Sequence, residues 1–567
     1  MIRIFLFIFS VLILSFSSRA QYLPKANYPQ DYYTWPVGAI KAIVANFGEL
    51  RSNHYHMGLD CRTEQVQNKP VLAAADGYIA KVKVEPWGFG RAIYINHPNG
   101  NTSLYAHLND FYPELEEYVT AQQYKLQRWH VFLDIPANLF PVKQGQQIAF
   151  SGNTGGSQGP HVHFEIRDTK SDKVLNPLLM GMPIADKVAP DILWLAVYDR
   201  CISTYEQTPK IYALKKLNGV YVPTAGNIKI NSERVSFAIT AYDRYTGSTN
   251  QNGIYEAVLY ENDIPVSGFR MDSISYDETR YLNAHIDYRY KAAGGPYLQH
   301  LSRLPGNEGG IYKSNGNDGV VDLGVEKTKE IKIAVADPEG NTSYLKFSIT
   351  STGNSITKAK PVDVVKTFHP GYVNVFENEF VQFYLDEKAL YDSFNFKYKK
   401  VLDAGGRNIF QLHNATVPLQ NYFTLKIKSD YFITDASKAV ILRTYGSKKD
   451  YVKATLENGW YKARFREFGN FQLLQDDTAP SISPLGFYDG INAAKLSRIV
   501  FAVTDNTEEI EKFTATLDGK WLCFTNDKGR NFIYKFDELC GPGEHELVVT
   551  AEDQVGNTAT KTYRFTR

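Results

Sequence analysis

The sequence predicts a mainly β protein of several domains, and three observations carry that expectation. Tyrosine (38) and phenylalanine (33) are abundant in the 567 residues, and aromatic side chains favour half-buried pleated surfaces. The apolar segments are short, often alternate with polar residues at period two, and are punctuated by glycine, proline and asparagine; this is the pattern of strands joined by turns. Two stretches also repeat one another. Val188-Ala189-Pro190-Asp191 matches Thr478-Ala479-Pro480-Ser481, and Asp337-Pro338-Glu339-Gly340-Asn341-Thr342 matches Asp553-Gln554-Val555-Gly556-Asn557-Thr558. Each copy carries alternating strands such as Val235–Ala241 and Val500–Thr504, which predicts β-sandwiches of immunoglobulin type. At ~150 residues per domain the chain has room for three or four. Lysine plus arginine (62) and aspartate plus glutamate (61) nearly cancel, so no net field draws the chain to nucleic acid or an anionic membrane.

Taken in order, Arg3, the apolar run Ile4–Leu14 and Ser18-Arg19-Ala20 read as a secretory signal over residues 1–20. The run is shorter than the ~18 apolar residues a membrane span needs, and the mature chain is expected to be exported, with no transmembrane segment. Residues 21–46 form an aromatic, proline-bearing lead-in. Pro70–Val82, with Asp76-Gly77 inside it, predicts a hairpin. Trp87-Gly88-Phe89-Gly90 predicts a loop, Ala92–His97 a strand, Asn99-Gly100 a second hairpin turn, and Thr102–Leu108 its return strand. Within 110–140, Leu115, Tyr118, Val119, Gln122, Leu126 and Trp129 recur at helical spacing, with Pro113 suited to a first turn. Two readings are open for that insertion: a helix capping the sheet, or a wall of a substrate groove. Pro141–Phe150 returns to strand, with Gly145 at a turn.

Chemistry concentrates upstream of Asn176, since seven of the twelve histidines lie between His54 and His163. In Ser151–Arg167 a glycine-rich loop enters a strand whose alternation puts His161, His163 and Glu165 on one face and Val162, Phe164 and Ile166 on the other. His56 and Asp60 are four apart, ~13 Å along a straight strand. A turn or bulge at Gly58 must fold them together before they share an ion held by bonds of ~2 Å. Mixed imidazole and carboxylate donors suit zinc, whose catalytic sites keep about three protein ligands. Beyond Asn176 no metal or nucleophile constellation is legible. Cys61, Cys201, Cys523 and Cys540 are the only cysteines, and the spacing of Cys523 and Cys540 permits a bridge without requiring one.

His56-x-Gly58-x-Asp60, Tyr105-Ala106-His107-Leu108 and Ser151–Glu165 (SGNTGGSQGPHVHFE) resemble the motifs of the lysostaphin-type, or LytM-type, zinc metalloendopeptidases of bacterial peptidoglycan. The resemblance spans Phe47–Pro177, with the Ala-Ala-Asp-Gly and Gly-Phe-Gly segments included. It implies an antiparallel-sheet peptidase domain, with His56, Asp60 and His163 as Zn2+ ligands and His107 and His161 as the catalytic pair. His54 flanks the pattern, Glu165 is placed to orient a neighbour, and His97 and His130 have structural roles. Val162, Gln158 and the 110–140 insertion depart from the family pattern without removing a ligand. The expected layout is a LytM-type domain over 47–186, a β-sandwich with a Tyr- and Gly-rich insertion over 187–352, a β-rich segment over 353–475 and a C-terminal β-sandwich over 476–567. The implied function is hydrolysis of peptidoglycan peptide cross-links by a periplasmic, envelope or secreted enzyme. Two other readings stay open: a non-catalytic LytM-type regulator or scaffold that binds the wall, and a metallopeptidase acting on proteins. The β-domains are expected to serve as spacers or to bind wall or protein partners.

Overall fold

The computed structural model describes residues 22–23, 26–324, 327–353, 363–529 and 531–567. The signal segment expected at 1–20 lies outside them. Among the described residues no helix is long and apolar enough to cross a membrane. The architecture is mainly β throughout.

The first unit is built from β1 (Ile43–Ala45), β2 (Leu59–Arg62), β3 (Pro70–Leu72), β4 (Gly77–Val84), β5 (Arg91–Asn96), β6 (Asn101–Ala106), β7 (Leu108–Phe111), α1 (Pro113–Leu126), β8 (Val131–Asp134), β9 (Pro141–Val142), β10 (Gln147–Ser151), β11 (His161–Asp168) and β12 (Val174–Leu175). The main sheet runs β1-β2-β11-β6-β5-β4-β8, and a smaller one runs β3-β10-β7. All pairings in both are antiparallel. On β11 the alternation resolves as expected. Val162, Phe164 and Ile166 are fully buried in the core, where each contributes roughly 1.5–3 kcal/mol of apolar burial. The lead-in packs on the same core through Tyr33, Trp35 and Val37.

Three local expectations are corrected. β3 and β4 do not form a hairpin, because they lie in different sheets. The small, buried Ala73, Ala74 and Ala75 carry the chain across close against the core, with Ala74 N–H donating to Tyr105 Oη at 2.7 Å. Asp76 accepts from the Gln144 backbone at 2.8 Å instead of closing a turn. The predicted strand Thr102–Leu108 is broken at His107, whose φ of 61° is a left-handed conformation found in histidine more often than in most residues. The insertion does form α1, with Pro113 in its first turn and Leu115 and Val119 buried, yet Leu126 is 43% exposed. Its far side faces the C-terminal unit, where Tyr124 meets Trp521 edge-on at 5.2 Å.

Three further β units follow. Strands from Asp191 to Ser351 enclose a second core, which also takes in Phe47, Tyr55, Met57 and Val174. β12 pairs with Ser273–Ile274, so the first sheet continues into the second unit. Sheets of six and five strands hold a third core between Phe368 and Leu473, and sheets of three and four strands hold a fourth between Ile482 and Phe565. All four cysteines are free, with Cys61 and Cys540 buried. Alkylation in denaturant without reductant is therefore expected to modify four thiols by mass spectrometry, whereas only two would reveal a Cys523–Cys540 bridge.

Candidate active site

Sheet register brings the distant motifs together. On β11, His163 stands opposite Asp60 of β2 on one side and Ala106 of β6, the neighbour of His107, on the other. His56 reaches the same point from a bend just before β2. The reason for glycine at position 58 is space: a Cβ there would lie 2.4 Å from Phe164 O and 3.0 Å from His163 Cε1. The chain bends at Gly58 as expected, and close approach is the further reason no side chain fits there.

Three donor atoms converge. His56 Nε2 lies 2.9 Å from Asp60 Oδ1 and 3.0 Å from His163 Nδ1, and His163 Nδ1 lies 3.0 Å from Asp60 Oδ1. The outer ring nitrogens fix the tautomers. His56 Nδ1 donates to Asn46 O at 2.7 Å, and His163 Nε2 donates to Glu165 Oε1 at 2.9 Å. Both inner nitrogens are therefore left with bare lone pairs, aimed at each other and at a buried carboxylate. That arrangement repels itself unless a cation or a proton sits among the three. Tetrahedral ligands held ~2.0–2.1 Å from zinc stand ~3.3 Å apart, within a few tenths of an ångström of what is seen, so the donor set fits such an ion. In its absence the protonated form of His163 is favoured: burial alone would lower its pKa, but the bonds to Asp60 and Glu165 raise it to about 9. Burial likewise pushes the Asp60 carboxyl upward and is outweighed by His56, His161 and His163, which hold it well below the usual range.

His107 and His161 stand beside this cluster, their rings 4.8 Å apart. His107 Nδ1 donates to Thr154 O and His161 Nδ1 to Gly159 O, each at 2.8 Å, so both leave Nε2 as an acceptor. His161 Nε2 lies 3.3 Å from Asp60 Oδ1, a step farther out than the converging three. Burial, with His161 and His163 adding to it, lowers His107 to about 3 and keeps its ring neutral. His54 lies at the mouth, bonded to Ser52 O. His97 is tied to Asp76 O and Ser103 in the core, and His130 is exposed on the far side of α1.

The cleft over these side chains has a volume of about 880 Å³. Among the described residues the 110–140 insertion contributes nothing to its lining, which corrects the groove-wall reading. The wall comes from Phe89, Tyr276 and Tyr297, and the two tyrosines belong to the second unit. Tyr276 Oη donates to Glu165 Oε1 at 2.6 Å, and its ring lies 4.8 Å from the Arg167 guanidinium. Arg167 Nε donates to Glu165 Oε2 at 2.7 Å. Burial of Glu165 is thereby offset, chiefly by Arg167 and then His163, and its pKa falls to about 2. Asn46 is a second support. It exchanges bonds with the Gly253 backbone at 2.8 and 2.9 Å while its own carbonyl holds His56. Sequence reasoning missed both residues, because Tyr276 is 111 positions from Glu165; the tyrosine-rich insertion was its one visible sign.

The antiparallel sheet thus carries a His–Asp–His cluster that could hold a metal ion, with two more histidines beside it. Residues 54–124 and 140–177 match the model of peptidase family M23, with most of the α1 insertion's second half falling in the gap. Over those residues the chain is similar to that family. Residues 365–476 match the model of the Zu5-like domain. An uncharacterized metalloprotease of Haemophilus influenzae is 33% identical over 128 residues, 23% of this chain and 21% of its own. The DD-carboxypeptidase/endopeptidase Mpg of Neisseria meningitidis is 32% identical over 142 residues, 25% of this chain and 26% of its own. The chain thus spans about a quarter of the length of these curated relatives. Among solved structures, the catalytic domain of the antimicrobial peptidase lysostaphin from Staphylococcus simulans aligns over 24% of this chain and 86% of its own, at 23% identity and a TM-score of 0.18.

Because Tyr276 reaches His163 through Glu165, Tyr276→Phe is expected to weaken divalent-metal binding by about tenfold while leaving the fold intact. Competition against a chromophoric chelator measures it, and an unchanged affinity would show that Tyr276 only fills space.

Proposed function

We propose that the chain is a zinc metalloendopeptidase, exported from the cytoplasm, that hydrolyses peptide cross-links of bacterial peptidoglycan. The observation that carries this reading is the convergence of His56 Nε2, His163 Nδ1 and Asp60 Oδ1, each within 3.0 Å of the others, with two further imidazoles at their side. The name of the Neisseria relative, a DD-carboxypeptidase/endopeptidase, supports the substrate class, and the motifs read in the sequence support zinc.

Held by His56, Asp60 and His163, zinc would supply Lewis acidity toward a scissile carbonyl and lower the pKa of bound water to ~7. The chain's own residues handle the proton. His107 and His161 each present an acceptor Nε2 to the cleft, because each Nδ1 proton is spent on a backbone carbonyl. One ring takes the proton of the attacking water. Once protonated it is the donor that steadies the anionic tetrahedral oxygen or delivers the proton to the leaving amine. Asp60 Oδ1 lies 3.3 Å from His161 Nε2, which places a carboxylate beside that ring as it takes the proton. Phe89, Tyr276 and Tyr297 form the apolar flanks against which an extended peptide lies.

The test separates metal binding from proton transfer. His163→Ala is expected to lose stoichiometric zinc and all muropeptide cleavage, whereas His107→Ala keeps zinc and loses at least about 10²-fold in rate. Undiminished cleavage by His163→Ala would refute the assignment.

A further inference from the structure

We infer that the chain carries two further cation sites, one at the start of each repeated β unit, formed by Asp186, Asp243 and Asp337 and by Asp476, Asp505 and Asp553, and that each takes calcium. In each trio one carboxylate oxygen from every residue lies within 4.8 Å of the others. Acidic clusters alone prove little, and the burial and bonding of these residues are what make the case. Asp243 is 1% exposed, and neither of its oxygens has a hydrogen-bond partner. In the second trio Asp476 is 3% exposed and its Oδ2 is likewise buried without a donor, as is Asp505 Oδ1. No ion pair of any of the six with lysine or arginine occurs among the described residues. Burying an ionised carboxylate without a partner is strongly unfavourable, so three together require a positive charge or a proton.

The two trios are also built alike, although they lie in different units. Asp186 Oδ1 accepts from Val188 N at 3.0 Å, and Asp476 Oδ1 accepts from Thr478 N at 3.2 Å. In both cases the same oxygen, Oδ2, is the one left buried and bare. Asp337 Oδ1 accepts from Asn341 N at 2.8 Å while Asn341 Nδ2 bonds its Oδ2 at 2.6 Å. Asp553 is held by Asn557 in the same way, at 2.8 and 2.7 Å. Asp186, Asp337, Asp476 and Asp553 are thus each held by a turn, and Asp243 stands among its partners with no side-chain bond of its own. In the first trio Asp243 is pushed up to about 8 by burial and then by Asp186 and Asp337.

An all-oxygen set of aspartates on turns suits a hard cation. Calcium, which takes 6–8 oxygens in flexible geometry, suits it better than magnesium, which demands a strict octahedron. The location gives the binding a purpose. Asp186 and Asp476 lie where one unit passes into the next, the second following directly on the strand Gly469–Gln475, and Asn557 Nδ2 reaches back to the carbonyl of Asp476 at 3.0 Å. A cation there ties the end of one unit to the first turns of the next. It also fixes the C-terminal unit, whose Asp527 and Lys528 contact Gly155 N and Ser157 O of the glycine-rich loop beside the cleft, at 2.8 and 2.7 Å.

The test uses the full chain with its histidine centre already loaded with zinc, in chelator-treated buffer. Equilibrium dialysis against calcium chloride is expected to show two bound equivalents, with dissociation constants on the order of 10⁻⁴–10⁻³ M. Asp243→Asn and Asp505→Asn are each expected to lose one equivalent. Thermal unfolding supplies a second readout that does not depend on the variants: millimolar calcium raises the midpoint of the wild-type chain. Absence of calcium uptake at millimolar concentration, an unmoved wild-type midpoint, or two equivalents retained by Asp243→Asn would each overturn the inference.

Discussion

Two imidazole lone pairs and an aspartate oxygen, all within 3.0 Å of one another and all screened from water, form the interaction on which the rest of this molecule depends. Arg51 reaches only the outer oxygen of Asp60, at 3.6 Å, so the mutual repulsion of the three donors is relieved by a cation among them or by a proton on His163. The surrounding bonds enforce that repulsion, because Asn46 and Glu165 take the outer protons of His56 and His163 and so turn the bare nitrogens inward. A protein that spends buried hydrogen bonds to hold three electron pairs in opposition is organised around a positive charge. The antiparallel register of β2, β11 and β6 exists to deliver that geometry, and Gly58 is the point where the chain comes too close for any side chain.

The supports reach beyond the peptidase unit. Asn46, which fixes His56, is held by Gly253, and Glu165, which fixes His163, is held by Tyr276. Both outer partners come from the second β unit, whose apolar core takes in Phe47, Tyr55 and Met57 from the very segment that carries the first histidine motif. The second unit is thus part of the scaffold of the site. From the other side the C-terminal unit rests on the glycine-rich loop through Asp527 and Lys528. The β units flanking the cleft therefore touch the supports of the histidine cluster and the glycine-rich loop directly.

Much of this was legible in the chain itself. Period-two alternation identified β11 and separated its buried face from its polar one, and the resemblance carried by three short motifs gathered residues 56 to 163 into one site. What escaped was tertiary. Asp76-Gly77 has the chemistry of a hairpin turn, yet the run of alanines before it crosses between sheets. His107 sits in strand-like sequence but adopts φ 61°, which no neighbour announces. Leu126 obeys the helical period and faces another unit instead of the core. Tyr276 meets Glu165 across 111 positions, and the aspartate trios are spread over 186–337 and 476–553, distances no spacing rule spans. The matched turns at Asp337 and Asp553 were visible as a repeat, but their charge arrangement became readable only with the fold.

The most direct measurement is X-ray absorption at the zinc edge on the zinc-loaded full chain. The account requires a low-coordinate shell of nitrogen and oxygen scatterers at ~2.0–2.1 Å with outer-shell features of two imidazoles. A shell containing sulfur at ~2.3 Å, or one with no imidazole signature, would contradict the convergence of His56, Asp60 and His163 on a single ion.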